Sequence, residues 1–216
     1  LKLPSVLLLH KKAAVGETIV EKTSALFLER GSKSDTMNDV ANVMAISKKT
    51  LYTRLENKVQ LVRESANFVF DCVCSEIEEI KLKAAHPIEE LYFVKSAVLK
   101  YLQNESLSPT YQLQKFYPEI YSNLRDQEYS RFGVMVQSSL RLGIETGLFR
   151  PNINVDFVSR LYMNGMRGIR DIEIFPIAQF DINTLFENYL EYHARAIVTP
   201  KGLRVLNEFI GTTEQK

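Results

Sequence analysis

The segment TMNDVANVMAISKKTLYTRLENK, residues 36–58, carries two helical periods in succession. Met37, Val40, Ala41 and Met44 stand at i, i+3, i+4 and i+7, which makes one face of a short helix apolar. Thr36 followed three residues later by Asp39 has the form of a capping box at that helix's start. Ser47 is a suitable cap for a second helix whose inward residues are Leu51 and Leu55, one turn apart. That second helix keeps Lys48, Lys49, Thr50, Tyr52 and Arg54 off its buried side and has no acid in its first turn. Two short helices joined by a tight turn are predicted, the second presenting basic and hydroxyl groups suited to phosphates and base edges.

In a helix-turn-helix the second helix enters the major groove by its N-terminal residues while the first crosses the DNA backbone. Ser-Lys-Lys-Thr-Leu-Tyr at 47–52, Leu55, and Asn57-Lys58 ahead of a new apolar run are more particular than the bare pattern. With Gly31, Thr36 and Asp-Val-Ala at 39–41, they resemble the DNA-binding signature of the TetR (tetracycline-repressor) family of bacterial regulators. Two positions depart from the family's habit. Ala45 stands where Gly is usual in the turn, so the turn must form with a Cβ present, at some strain. Arg54-Leu55 replaces an aromatic or His followed by Phe, so Arg54 is expected to hold a phosphate with a permanent charge.

The resemblance implies an all-α chain: an N-terminal three-helix helix-turn-helix DNA-binding domain and a larger C-terminal helical domain for effector binding and dimerisation. The expected divisions are 1–16 as a flexible arm, 17–62 as the DNA-binding domain and 63–216 as the body. Composition agrees with a globular protein, with 45% hydrophobic and 25% charged residues. The formal net charge of +1 conceals an asymmetry. Residues 1–63 hold eleven basic and six acidic side chains, and the remainder sixteen and twenty, so a basic head precedes an acidic body. No apolar run reaches the roughly 18 residues of a membrane span. The burst Val6–Leu9 is shorter than the ~7 to 15 residues of a signal-peptide core. Cys72 and Cys74 supply no disulfide framework, and a cytoplasmic setting is expected.

Taken in order, Ile19, Thr23, Leu26 and Phe27 place a helix over 17–30, stopped by Gly31. A long helix is predicted over 59–84 on the stripe Val62, Ala66, Val69, Val73, Ile77 and Ile80. In the family this helix relays a conformational change from body to head. Pro87 opens a helix running to about Asn104. One further helix is predicted over 111–124, kinked or broken at Pro118, and another over 127–146 ending at Gly147. The last two are predicted at 155–172 and 182–197, separated by a turn around Pro176 and Asp181. No alternating strand pattern occurs.

Lys33, Thr36, Lys48, Lys49, Thr50, Tyr52, Arg54 and Lys58 are the expected DNA contacts. Lys48 and Thr50 are placed nearest base edges, and Thr36, Tyr52, Arg54 and Lys58 on phosphates. Lys33, Thr36 and Lys58 stand at helix starts, where amide donors favour an anion. The set Tyr101, Phe116, Tyr117, Tyr121, Phe132, Met135, Tyr162 and Met166 fits either an apolar ligand pocket or ordinary core. The resemblance implies an effector cavity in the body without naming its lining. Leu185, Tyr189, Tyr192, His193 and Ala196 form an apolar-aromatic stripe for a two-fold dimer interface with the preceding helix. Two reading heads must reach half-sites roughly 34 to 36 Å apart. Arg167 and Arg170, three apart, fit an anion-binding pair or ion pairs at the dimer rim.

Other chemistries lack candidates. Cys72 and Cys74 are separated by about 200° around a helix and cannot bridge. His10, His86 and His193 have no metal-ligand spacing, so neither metal nor cofactor is expected. Glu89 and Glu90 diverge on a helix, unlike a working acid/base pair, and no phosphate-cradling loop or nucleophile elbow occurs. The resemblance implies a homodimeric repressor released from operator DNA by a small-molecule effector. The alternative is an effector-independent DNA-binding or protein-partner module with a filled body core.

Overall fold

The computed structural model describes residues 15–32, 35–102 and 109–213. Its elements are helices: α1 Val15–Arg30, α2 Met37–Val43, α3 Lys48–Tyr52, α4 Lys58–Lys83, α5 Pro87–Tyr101, α6 Pro109–Phe116, α7 Pro118–Glu145, α8 Val155–Gly168, α9 Ile182–Ile197 and α10 Pro200–Thr213. Among the described residues the one β-type pairing is an isolated antiparallel bridge, Phe149 to Val198. The expected arm lies outside the described residues, except for its last two positions, which open α1.

The chain divides into two compact units. One takes the chain up to Glu76 together with Lys100–Asp126, and the other takes Ile77–Leu99 and the chain from Gln127 on. The boundary therefore falls inside α4, α5 and α7, whereas the sequence reading counts 17–62 as a head of its own.

In the first unit, Ile19, Leu26 and Phe27 of α1 share a core with Met37, Val40 and Ala41 of α2, Leu51 and Leu55, Leu61 and Val62 of α4, and Ile120 of α7. Gly31 closes α1 with φ +82°, its amide donating to the Phe27 carbonyl at 2.9 Å. The left-handed φ is what favours glycine here; a Cβ would also meet the terminal amide of Gln112, a flexible side chain that can give way. Beside this core, Cys72 and Tyr101 are buried among Ala25, Leu28, Phe68, Val69 and Val73.

In the second unit, Ile88 and Tyr92 of α5 pack with Leu140 of α7, Leu148 and Phe149, Ala194 and Ile197 of α9, and Leu206 of α10. The α7–α8 connection is tied to the end of α9 by Arg150 N–H to the Ile197 carbonyl, 2.8 Å, and Thr199 N–H to the Leu148 carbonyl, 2.9 Å. Gly143 and Gly202 let Phe149 and the Leu148 carbonyl come close, since a Cβ at either would clash at about 2 Å.

Several helix limits differ from the sequence expectation. The helices expected over 111–124 and 127–146 are instead α6, ending at Phe116, and an unbroken α7 of 28 residues starting at Pro118. Pro118 has no amide hydrogen to give, so it starts a helix better than it sits inside one, and nothing in Leu124–Glu128 interrupts the run. Helix α5 stops at Tyr101 rather than near Asn104, which lies outside the described residues, and α8 stops at Gly168 rather than 172. Helix α10 was not anticipated, so 182–197 is not the last helix. Pro200 starts it by the same N-terminal logic, and Leu206, Phe209 and Ile210 pack it on the second core.

Candidate nucleic-acid interface

The helix-turn-helix is held by side chains close in sequence. Thr36 caps α2 in a complete capping box: its Oγ1 accepts from Asp39 N–H at 3.3 Å, and the Asp39 carboxylate accepts from Thr36 N–H at 2.8 Å and Thr36 Oγ1 at 2.6 Å. These bonds, that from the Thr36 side chain first, hold the Asp39 carboxyl below its ordinary pKa. The turn that follows is a Schellman motif. Met44 is the C-cap, Ala45 N–H donates to the Asn42 carbonyl and Ile46 N–H to the Ala41 carbonyl, both at 3.1 Å. Ala45 takes the left-handed position with φ +53°, so the strain expected from a Cβ in this turn is present.

Ser47 caps α3, accepting from Thr50 N–H at 3.0 Å while the two hydroxyls lie 2.8 Å apart. Five residues cannot hold a helix in water by themselves. Leu51, fully buried, and Leu55, 2% exposed, anchor α3 on α1, α2 and α4. With those two directions fixed, Lys48, Lys49, Thr50, Tyr52 and Arg54 are exposed. Lys48 Nζ lies 5.8 Å from the centre of the Tyr52 ring, one turn on, so cation and aromatic face form one patch.

The helix-start residues differ from that patch. Thr36 is exposed, but its hydroxyl is engaged by Asp39 in both directions. Lys58 is half-buried; burial lowers its pKa, against the opposing pull of Asp35 and Asp39. Lys33 lies outside the described residues. The expected DNA contacts therefore separate into an open set on α3 and its C-terminal turn, and Thr36 and Lys58, which the protein's own acids already attend.

The aromatic and methionine set is distributed over both units. Tyr101 is buried against Cys72, with its hydroxyl donating to Glu76 at 3.3 Å. Phe116 is exposed, and Tyr117 packs at the edge of the first core. Tyr121 is half-buried. In the second unit Phe132, Tyr162 and Met166 do come together, with Met163, Leu190, Tyr129, Val136 and Tyr189. Met135 is half-buried on α7, and its carbonyl accepts from Lys81 at 3.2 Å.

The stripe on α9 also separates. Tyr192 is 73% exposed and Ala196 is exposed. Leu185 is half-buried. Tyr189 instead turns to α8, donating to the Tyr162 carbonyl at 3.0 Å. His193 is 6% exposed, with its ring 4.9 Å from that of Tyr162. Burial drives its pKa down to about 4, so it is neutral core rather than surface. Arg167 and Arg170 both have partners within the chain. Arg167 pairs with Glu128 of α7 at 3.1 Å and lies over the Tyr129 ring, and Arg170 donates to the Met166 carbonyl.

An acid that the sequence reading set aside together with Glu89 is buried. Glu90, on α5, turns inward at 8% exposed and accepts from Ser139 Oγ of α7 at 2.5 Å. In sequence it is one of two adjacent acids, and only the helical phase against Leu91 and Val94 separates it from the more exposed Glu89.

No protein-family model matches the chain. The sequence is similar to the HTH-type transcriptional repressor KstR2 of Mycobacterium tuberculosis, 27% identical over 146 residues, covering 66% of this chain and 72% of that protein. The structure is similar to that of the ketosteroid transcriptional regulator KstR2 of the same organism, with TM-score 0.56 and 22% identity over 88% of this chain and 97% of the other. It is also similar to the TetR family transcriptional regulator PfmR from Thermus thermophilus, with TM-score 0.58 and 22% identity over 82% and 97%.

Proposed function

We infer that this chain, a TetR-type regulator by fold and by its helix-turn-helix, is a ligand-responsive, sequence-specific DNA-binding repressor that works as a homodimer. The observation that carries the reading is α3. It is capped at its start and buried through Leu51 and Leu55, and every other side chain on it is exposed, with no acid in its first turn. A surface of that kind fits the major groove, Lys48 and Thr50 towards base edges, Tyr52 and Arg54 towards phosphates. Lys49 adds charge to the same face, and Lys33, Thr36 and Lys58 are secondary phosphate contacts.

Two reading heads on one operator require a two-fold axis. Helices α8 and α9 supply a face for a second copy of the chain: Phe157 is 62% exposed, Leu161 51% and Tyr192 73%, with Ala196 beside them. That face replaces the five-residue stripe, because Tyr189 and His193 are committed to α8. Leu161→Glu should leave monomers in light scattering and lose operator affinity; dimers of unchanged strength would refute this interface.

The helical body is the effector-responsive part, and the chain acts in the cytoplasm without enzymatic turnover. A ligand favouring one spacing of the heads shifts the population between bound and released states. Full reversal from 1:99 to 99:1 requires about 5.5 kcal/mol of differential affinity. The test of the whole reading is selection of bound sequences from a random duplex pool, repeated across salt. A two-fold symmetric site whose affinity falls steeply with salt is expected. Failure to enrich any sequence would refute it.

A further inference from the structure

The hydroxyl groups on and beside α3 are turned back onto the helix. Ser47 Oγ accepts from Thr50 N–H at 3.0 Å, and the Ser47 and Thr50 hydroxyls lie 2.8 Å apart, so the Thr50 oxygen is held towards the cap. Thr53, the C-cap, gives its hydroxyl proton to the Thr50 carbonyl at 2.7 Å. A threonine carries its oxygen and its methyl on one Cβ, in staggered positions, so fixing the oxygen also fixes the methyl elsewhere. Both residues are exposed, and with their oxygens engaged the methyl is the group left to meet a partner.

The helical phase places these methyls. Leu51 is fully buried and marks the inward direction. Lys49 and Thr53 each stand two residues from it, about 200° around the helix, and so lie almost opposite the core; Thr50 and Tyr52 stand about 100° to either side. Thr53 keeps helical dihedrals, φ −71° and ψ −16°, so the phase extends to it. The Tyr52 flank is cationic, with Lys48 Nζ 5.8 Å from the ring centre. Thr50 and Thr53, three residues apart, are neighbours on the other flank and make a two-methyl row beside Lys49.

In the major groove a threonine hydroxyl can hydrogen-bond a base edge, whereas its methyl makes apolar contact with the C5-methyl group of thymine. The first use competes with the bonds that tie Thr50 to the cap and Thr53 to the end of the helix; the second leaves them in place. We propose that Thr50 and Thr53 read thymine methyl groups in each operator half-site, which makes Thr53 a specificity-determining residue alongside Lys48. This rests on the reading of α3 as the groove-entering helix, and names what that helix recognises there. Thr53 stands outside the contacts expected from the sequence, where the basic and aromatic residues around it draw the attention.

The test uses the full chain and the duplex that random-pool selection enriches. Each thymine of a half-site is replaced in turn by deoxyuridine, which removes the 5-methyl group and keeps every hydrogen-bonding group. At one or more positions per half-site uracil is expected to weaken binding roughly fourfold, the worth of one buried methyl group. Thr50→Ser combined with Thr53→Ser keeps both hydroxyls and removes both methyls, so this variant should bind the thymine duplex more weakly and lose the uracil penalty. Thr50→Val combined with Thr53→Val keeps the methyls and removes the hydroxyls, so the penalty should remain. Circular dichroism checks the helicity of both variants, and the uracil scan on the unaltered protein decides even if they fold poorly. The absence of any thymine at which uracil weakens binding, a penalty of full size in the serine variant, or a folded valine variant indifferent to uracil would overturn the proposal. A pool that enriches an operator without a methyl-dependent thymine removes this inference and leaves the DNA reading standing, whereas a pool that enriches nothing removes both.

Discussion

Ala45→Gly should stabilise the reading head. Ala45 is the left-handed residue of the Schellman turn, with φ +53°, and its side chain is exposed, so the methyl contributes strain and little packing. An L-residue in this conformation costs roughly 1–2 kcal/mol. Gly removes that cost but gives the unfolded chain more freedom, worth about 0.4–1 kcal/mol in the other direction. The difference is a net gain of about 0.5–1 kcal/mol. For a chain of this size that is a rise of roughly 2–4 °C in Tm per kcal/mol. Thermal unfolding followed by helical circular dichroism measures it, and hydrogen exchange localises it: the Ala45 and Ile46 amides, which close the motif onto Asn42 and Ala41, should exchange more slowly. Ala45→Val is the control in the opposite sense, since a β-branched residue is worse placed at positive φ. If the glycine variant melted below the parent, or the valine variant matched it, the turn would not be holding strain.

Four other outcomes follow from the same geometry. Lys48→Ala and Tyr52→Ala should each weaken operator binding with unchanged helicity, with specificity relaxing mainly in the first; wild-type affinity and selectivity in either would remove that residue from the interface. Leu51→Ala, at a fully buried position, should cost about 2–5 kcal/mol in chemical denaturation and abolish DNA binding; a loss under 1 kcal/mol would mean that α3 is anchored elsewhere. For His193, the folded pKa of about 4 lies below the unfolded value near 6.5, so the unfolded chain takes up a proton first as pH falls. Stability should drop by about 3 kcal/mol between pH 6.5 and 4, and His193→Gln should flatten that slope in denaturant midpoints; an unchanged slope refutes the assignment. Burial, then Asp71, Glu21 and Glu76, push the Cys72 thiol up to about 11, so it should resist alkylation at pH 8 until the protein unfolds, and rapid native modification would contradict its burial.

The head was legible because its determinants are local. Thr36 with Asp39, and Ser47 with Thr50, act within three residues, and Leu51 and Leu55 reveal the buried side by spacing alone. The limits of α6 and α7 were harder to read for a different reason. Pro118 fits equally a kink within one helix or the first residue of the next, and the periods of Leu113 and Ile120 run through it in either case. Helix α10 follows from Pro200 by the logic already applied to Pro87, and the apolar spacing of Leu206, Phe209 and Ile210 was available. In the body, periodicity shows which face of α9 is aromatic but not what meets it. Tyr189 and His193 point at α8 while Tyr192 points outward, a distinction of less than a third of a turn that only the neighbouring helix decides.

The core that makes α3 readable also couples it to α4. Five residues with one cap have no independent stability, so the position of Lys48–Tyr52 is the position of Leu51 and Leu55 in their packing. Their neighbours include Leu61 and Val62, in the first two turns of α4, both within 1% of full burial. Cores packed at crystal-like density do not yield smoothly: a displaced helix carries its contacts or opens a gap. A shift of the start of α4 by a fraction of a side chain therefore moves α3 with it rather than leaving it behind. Under the proposed function, reading the groove and responding to a signal would then depend on the same four leucine and valine side chains. A volume change there, such as Val62→Ala, should loosen operator binding and blunt its release by ligand together, whereas Lys48→Ala should weaken binding and leave the fractional release intact. A Val62→Ala variant with normal affinity and normal release would break this link between α4 and the reading helix.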